Sequence, residues 1–394
     1  MTTFLYLQNK EPAKLTASKK AKTTNKNVKD EDDDPSISHL EKSHNGQDSL
    51  DIDISKIECE SGQILTSLRM KSHLENYNIL CLFDVEFPYT KKLFEILSTD
   101  QVGMLKSKWA QAKETELIED SWKACSLKIL VDKYSKIIKE NTNEDTLYLD
   151  LNALIAAFMK PPCDGYQHQI NYEFLWCQSF YIQMALQMLQ KHSSLQNSST
   201  SKYQYRDEIV NPLLSSIFHD VEHAFWIKIE HERIGDKHDG ILYLDIYGTK
   251  VGVGYIEVVG NAFATNRSDK NDDLEKLLKA TMKSIWYQNA HKESNTTTLK
   301  LQSFAILVFG REFHFLCMRL IENMYIIDEY DAFVLPDSSL YFLQIKNIVK
   351  VVKKFKIRVR NYYRELIQNP RRVTLLSNQG LPDASPSKTS KLNK

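Results

Sequence analysis

Apolar positions fall into three regimes along the chain. Up to about residue 72 they are sparse among Lys, Asp, Ser, Thr and Asn, with the acidic run Asp30-Glu31-Asp32-Asp33-Asp34 before Pro35. So few apolar side chains cannot bury enough surface to offset chain entropy, so 1–72 is predicted to be disordered. From Tyr77 to about Leu195 the spacing is helical. Leu151, Leu154, Ile155 and Phe158 recur at intervals of three and four, as do Phe174, Leu175, Phe180, Met184, Met188 and Leu189. This Met and aromatic stripe reads as core, and 73–200 as a helical subdomain. The polar stretch 192–202 is a loop or a boundary.

Beyond it the period changes. Tyr205 to Phe218 reads as a helix with a boundary or kink at Pro212. Short β-branched and aromatic runs follow, Ala224 to Ile229, Ile241 to Tyr247 and Val251 to Val259, punctuated by Gly240 and Gly248. Asp272 to Gln288 is an amphipathic helix with Leu274, Leu277, Leu278, Thr281, Met282, Ile285 and Trp286 on one face. Strands are predicted at Phe304 to Phe309, His314 to Ile321 and Tyr325 to Ile327, then a closing helix from about Ser338 to Phe355. Alternating strands and helices of this kind make an α/β domain over 203–366, a mixed sheet flanked by helices. Residues 367–394, rich in Ser, Pro, Asn and Lys, are predicted to be a disordered basic tail.

Composition narrows the classes. A chain of 394 residues suggests roughly two or three domains. Lys plus Arg and Asp plus Glu are both 51, so any electrostatic partner must be met by a local patch. Twelve glycines argue against Gly-rich repeats and phosphate cradles. The six cysteines form no C-x-x-C pair, which argues for reduced thiols in an intracellular, cytoplasmic or nuclear protein. The apolar stretch Phe4 to Leu7 is too short for a signal-peptide core, and no run approaches the ~20 apolar residues of a membrane helix, so no membrane is expected. Lys19, Lys20 and Lys22 are compatible with a nuclear address.

Two acids carry the candidate chemistry. Asp239 stands at the mouth of the strand from Ile241, and Glu257 lies inside the next strand, on the face shared by Val251, Val253, Tyr255 and Val259. A carboxylate among apolar neighbours needs a counter-charge. One reading makes Asp239 and Glu257 joint ligands of a hard cation, Mg²⁺ or Mn²⁺, able to polarise a phosphodiester. The other makes Asp239 a turn residue and Glu257 a buried acid paired with Arg267 or Lys250.

The stretch from about Tyr203 to Tyr362 resembles the PD-(D/E)XK nuclease-like superfamily, and more narrowly a group of uncharacterised fungal proteins, common in early-diverging fungi, that carry this fold. The matching features are Val210-Asn211-Pro212-Leu213-Leu214, the His238-Asp239-Gly240 step into a strand, Gly252-Val253-Gly254 leading to Glu257, the helix Asp273 to Trp286, and the hairpin around Gly310. The resemblance implies Asp239 and Glu257 as site acids and Glu208 as a further helical acid, although the register places Lys202 near that slot. It also implies a lysine two residues after Glu257, where the chain has Val259. Valine can neither polarise water nor neutralise a phosphorane. Lys250 is predicted to lie on the opposite strand face, and Lys276, Lys279 and Lys283 to project away from the sheet. Gln288 sits nearer but is uncharged. The implied function is a nucleic-acid-associated protein with a degenerate nuclease site. The alternatives are an active Mg²⁺-dependent DNA or RNA phosphodiesterase and a protein-interaction module.

Three other signals compete. His219-Asp220-Val221-Glu222-His223 fits the H-x-x-E-H zinc pattern, with Glu293 as a conceivable third ligand, but also a polar helix terminus. Asp84-Val85-Glu86 reads as acids at a strand end or as a first exonuclease motif. Between Lys346 and Arg372 ten basic residues face a single acid, Glu365, and Tyr362 and Tyr363 are interleaved. Lys350, Lys353, Lys354, Lys356, Arg358 and Arg360 form the core of this row, suited either to DNA or RNA backbone contact or to a solvated face balancing the acidic N-terminus.

Overall fold

Around strands of near-continuous apolar sequence, the second half of the chain builds one mixed sheet, and the first half covers part of it. A computed structural model describes residues 74–143, 148–160, 172–222, 224–227, 238–246, 248–290, 300–321 and 324–368. After a 3₁₀ turn, Leu74–Tyr77, come β1 (Ile79–Cys81) and four helices: α1 (Pro88–Ile96), α2 (Thr99–Ala110), α3 (Ala112–Lys123) and α4 (Ser126–Glu140). Ser98 and Gln101 form a reciprocal capping box at the start of α2. A two-stranded ribbon, β2 (Thr142–Asn143) with β3 (Tyr148–Leu149), precedes α5 (Leu151–Phe158) and α6 (Tyr172–Leu189).

The helix expected around Pro212 is a composite, α7 (202–215), with a π turn at Arg206–Val210 between two α-helical pieces. Proline has no N–H to offer the carbonyl four residues back. That carbonyl, of Glu208, accepts instead from Gln183 Nε2 on α6 at 2.7 Å. Next come β4 (Ala224–Ile227), β5 (Gly240–Ile246), β6 (Thr249–Val259), α8 (Arg267–Ala290), β7 (Gln302–Phe309), β8 (Glu312–Ile321), β9 (Met324–Val334) and α9 (Ile345–Gln368). Among the described residues the sheet has seven strands in the order β1-β9-β8-β7-β6-β5-β4, parallel at β1–β9 and β6–β7 and antiparallel elsewhere.

The sheet is covered on both faces. Ser284 Oγ of α8 donates to the Gly252 carbonyl at 2.7 Å, and Lys270 of α8 lies over the Phe309 ring, so odd positions of β7 face α8. Phe355 and Tyr362 of α9 meet Phe304 edge-on at 5.8 and 6.0 Å on the other face. One buried cluster runs from Leu74 to Leu366, so the helices before residue 200 and the sheet share a core. The expected α/β layout is therefore found, with three differences. The predicted helical region also supplies an edge strand, β1. β9 extends beyond Ile327 because its polar residues find partners, as Asp331 does with Lys354 at 2.7 Å. α9 continues past Phe355 to Gln368.

Candidate functional site

β5 and β6 pair antiparallel with Gly240 opposite Ile256, and Asp239 N–H donates to the Ile256 carbonyl at 3.1 Å. This places Asp239 across from Glu257 at the strand mouth, where facing residues project to the same side. Asp239 Oδ2 also accepts from Val258 N–H at 2.9 Å. Glu257 points toward α8 and is 2% exposed. The two acids singled out in the sequence thus lie side by side in the structure.

Cations saturate them. Arg206 NH1 donates to Asp239 Oδ1 at 2.9 Å, and Lys202 Nζ lies 3.1 Å from Oδ2. Four residues apart on α7, Lys202 and Arg206 share the face that meets Asp239. Glu257 Oε1 accepts from Lys276 Nζ at 2.5 Å and from His238 Nδ1 at 2.6 Å. Lys202 also approaches Asp273 Oδ2 at 4.0 Å. Three acids (Asp239, Glu257, Asp273) therefore meet three basic side chains (Lys202, Arg206, Lys276). Burial and the nearby Glu257 charge push the Asp273 carboxyl up to about 6, although Lys202 and Lys276 oppose the shift. Burial works against the charged form of Lys202, but Asp239 outweighs it and holds the ammonium above its usual range.

Several site expectations change. Lys276 does not project away from the sheet. Its stripe on α8, shared with Asp273 and Ala280, borders the buried face, and its long stem reaches back to Glu257. The expected partners of Glu257 are elsewhere: Arg267 approaches Glu86 at 3.6 Å, and Lys250 sits opposite Asp245 in the β5–β6 register. Gln288 donates to Ser284 Oγ at 3.1 Å and to the Gln302 carbonyl, so it braces the far end of α8. Glu208 is outside the cluster, its carboxylate accepting from Ser194 Oγ at 2.5 Å and Gln204 Nε2 at 2.9 Å. Val259 is buried and aliphatic, as the sequence states. His238 and Asp273 were missed: His238 was legible only as the neighbour of Asp239, and Asp273 only as the residue one turn before Lys276.

Mg²⁺ or Mn²⁺ does not fit this donor set as it stands. Both Asp239 oxygens and Glu257 Oε1 already accept from N–H groups, and Arg206 stays protonated at any working pH. Among the described residues no three His, Cys, Asp or Glu side chains converge as a metal-ligand group. Beside the cluster is a cavity of about 250 Å³ lined by Lys202, Val259, Gly260, Asp269, Asp272 and Asp273.

The basic row on α9 is not a free cationic face. Lys356 is fully buried, 2.9 Å from Glu173 and 2.5 Å from Asp220, and Lys353 also pairs with Glu173. Lys350 reaches Glu119 at 2.7 Å, Lys354 reaches Asp331 at 2.7 Å, and Arg358 donates to Glu114 at 2.5 Å. Burial raises the Glu173 carboxyl, but Lys353 and Lys356 more than offset that and hold it below its ordinary value. Glu114, Glu119 and Glu173 come from the N-terminal helices, Asp220 from the turn after α7 and Asp331 from β9, so the cations from Lys350 to Arg358 are paired in three dimensions. Of the six named cations Arg360 alone is classed as exposed.

The other motifs resolve as structure. His219 lies in a turn and approaches the Tyr172 hydroxyl at 3.2 Å, so the helix that zinc spacing would require is not formed there. His223 and Glu293 fall outside the described residues, as do 1–72 and the 367–394 tail apart from Ile367 and Gln368. Asp84 pairs with Lys270 at 2.8 Å. No helix among the described residues is long and apolar enough to cross a membrane. No family model, curated protein or solved structure matches the chain.

Proposed function

We propose that the chain is a nucleic-acid-associated protein on a PD-(D/E)XK-like scaffold whose acid site is filled by the protein's own cations and does not cleave. One observation carries this reading: three of the four oxygens of Asp239 and Glu257 accept from N–H donors, one of them the non-titrating guanidinium of Arg206. A divalent ion would have to displace Arg206 and Lys202 from Asp239, and Lys276 and His238 from Glu257. The sequence resemblance and the exposed cations Lys108, Lys113, Lys300, Arg360 and Arg364 support the nucleic-acid part.

A second reading, an active phosphodiesterase, is favoured by Lys276. It puts beside Glu257 the cationic amine that Val259 cannot provide, from a helix rather than from the strand. Purified protein incubated with single- and double-stranded DNA and RNA plus Mg²⁺ or Mn²⁺ separates the two. Binding without cleavage is the expected result. Cleavage abolished by Asp239→Ala, Glu257→Ala and Lys276→Met overturns the non-cleaving reading and installs the second. Neither binding nor cleavage refutes both and leaves an interaction module.

A further inference from the structure

On the sheet face that α9 covers, opposite the face that carries α8, is a larger concavity. A cleft of about 790 Å³ opens where the α2–α3 turn, the start of β7 and the last turns of α9 meet. Lys108, Lys113, Lys300 and Arg364 stand at its walls, all exposed, with Leu117 as an apolar wall that is 65% exposed. Its acids are Glu114 and Glu365.

Glu114 is already committed. Its two oxygens accept from Arg358 NH1 and Arg319 NH2, both at 2.5 Å, so one carboxylate is shared by two buried guanidinium groups. Arg319 is further held by the Trp109 carbonyl and lies over the Trp109 ring. Arg358 packs 4.3 Å from the Tyr330 ring centroid, and its Nε is buried with no hydrogen-bond partner among the described residues. An excess buried cation with an unused donor is costly unless an anion completes it. Glu365 stands exposed at the rim; burial and the nearby Glu114 raise its carboxyl, and Lys300 and Arg319 oppose the shift.

We propose that this cleft seats the phosphate groups of a single-stranded nucleic acid, an assignment that rests on the nucleic-acid reading above and gives it a location other than the α9 row. A single strand is the assigned occupant because its sugars and bases are open to side contacts such as Leu117. The exposed lysines and Arg364 contact the backbone, Arg358 and Arg319 fix the field behind them, and Leu117 offers an apolar surface to a sugar or base. Backbone contacts of this kind are independent of sequence and weaken with salt.

The test uses the full chain and a fluorescent mixed-sequence single-stranded oligonucleotide, titrated by anisotropy at several salt concentrations. The variant Lys113→Glu/Lys300→Glu/Arg364→Glu changes only exposed side chains; Lys91→Glu/Lys92→Glu/Lys139→Glu makes the same charge change elsewhere. The cleft variant is expected to bind about tenfold more weakly or worse, with a log Kd against log salt slope smaller by about 2 for three lost contacts, while the control variant keeps more than half of the wild-type affinity. Equal weakening by both variants, or wild-type binding by the cleft variant, overturns the inference. Thermal melting with added pyrophosphate distinguishes the sources of phosphate. If the oligonucleotide does not bind but pyrophosphate stabilises wild type and not the cleft variant, the cleft holds phosphate and the nucleic-acid reading fails. If neither probe binds, the cleft assignment fails. If the triple variant does not melt cooperatively, Arg364→Glu alone is scored in the same way.

Discussion

Lys276→Met is the most informative perturbation of the acid cluster. Methionine keeps the length of the stem and a good helix propensity and removes only the ammonium. Glu257, 2% exposed, is then left with His238 as its single charged or polar side-chain partner at Oε1. Stripping one member from a fully buried pair costs about 3–5 kcal/mol. The Lys276 side chain is 25% exposed and His238 still donates, so the expected loss is about 2 kcal/mol. Glu257→Gln removes the other charge, and the freed ammonium can turn to solvent, for a loss of about 1–2 kcal/mol. If the two side chains act on each other, the double variant loses less than the sum, by about 1–2 kcal/mol. Urea unfolding of the four proteins measures this through the midpoint, with m expected to be unchanged. A coupling energy within about 0.5 kcal/mol of zero would refute the contact as the reason for Lys276 being at the site.

Asp273 gives the cluster a pH signature. Its folded carboxyl is near 6 against 3.8 for the free group, so the folded state holds the proton more tightly and stability falls as pH rises from 3.8 through 6. Asp273→Asn is therefore expected to gain at most about 1–2 kcal/mol at neutral pH, discounted for partial exposure, and nothing below 3.8; melts at the two pH values check it. Lys356→Met should cost about 3 kcal/mol, because it leaves Asp220 without this buried counter-ion and Glu173 with Lys353 alone. Since Glu173 is held below 4.5, its contribution is present above that pH and is lost as pH falls below it, so the variant should show a shallower acid limb in melts. Gly260→Ala should cost at least about 2–3 kcal/mol by thermal unfolding: the residue has φ +71°, and a Cβ there would sit 1.9 Å from the Ala264 carbonyl oxygen. A near-wild-type melting temperature would contradict that loop geometry.

Period-two and period-3.6 patterns made the sheet and its two covering helices legible, because β5 to β8 and α8 are apolar enough for alternation to dominate. β1 was hidden in three residues beside a long helical region, too short to carry a period. β9 was cut short at Ile327 because Asp328, Glu329 and Asp331 look like a loop until Lys106, His314 and Lys354 are seen beside them. Asp239 and Glu257 were legible because a carboxylate in an apolar strand is rare. Their counter-ions were not, since Lys202, Arg206 and Lys276 come from helices on either side of the strand pair, and helix phase alone misjudged the reach of a lysine stem. The α9 row was misleading for a related reason. A count along the sequence cannot see Glu114, Glu119 and Glu173, which lie far back in the chain and pair with Lys350, Lys353, Lys354, Lys356 and Arg358.

The same physical demand explains both the acid pair and its cations. Two carboxylates brought together at a strand mouth, one of them almost fully buried, repel each other and lose hydration, so the fold is stable only if positive charge is supplied. A metal ion can meet that demand, but then stability follows the metal concentration. Amines and a guanidinium fixed on α7 and α8 meet it unconditionally. Arg206 matters most, because a lysine can rotate away or shed its proton, whereas a guanidinium held by both Asp239 and Asp207 can do neither at low cost. Its position follows from the π turn that Pro212 accompanies and Gln183 stabilises on the opposite helix. Neutralisation of the acid pair therefore depends on the first turns of α7 for Asp239 and on Lys276 of α8 for Glu257.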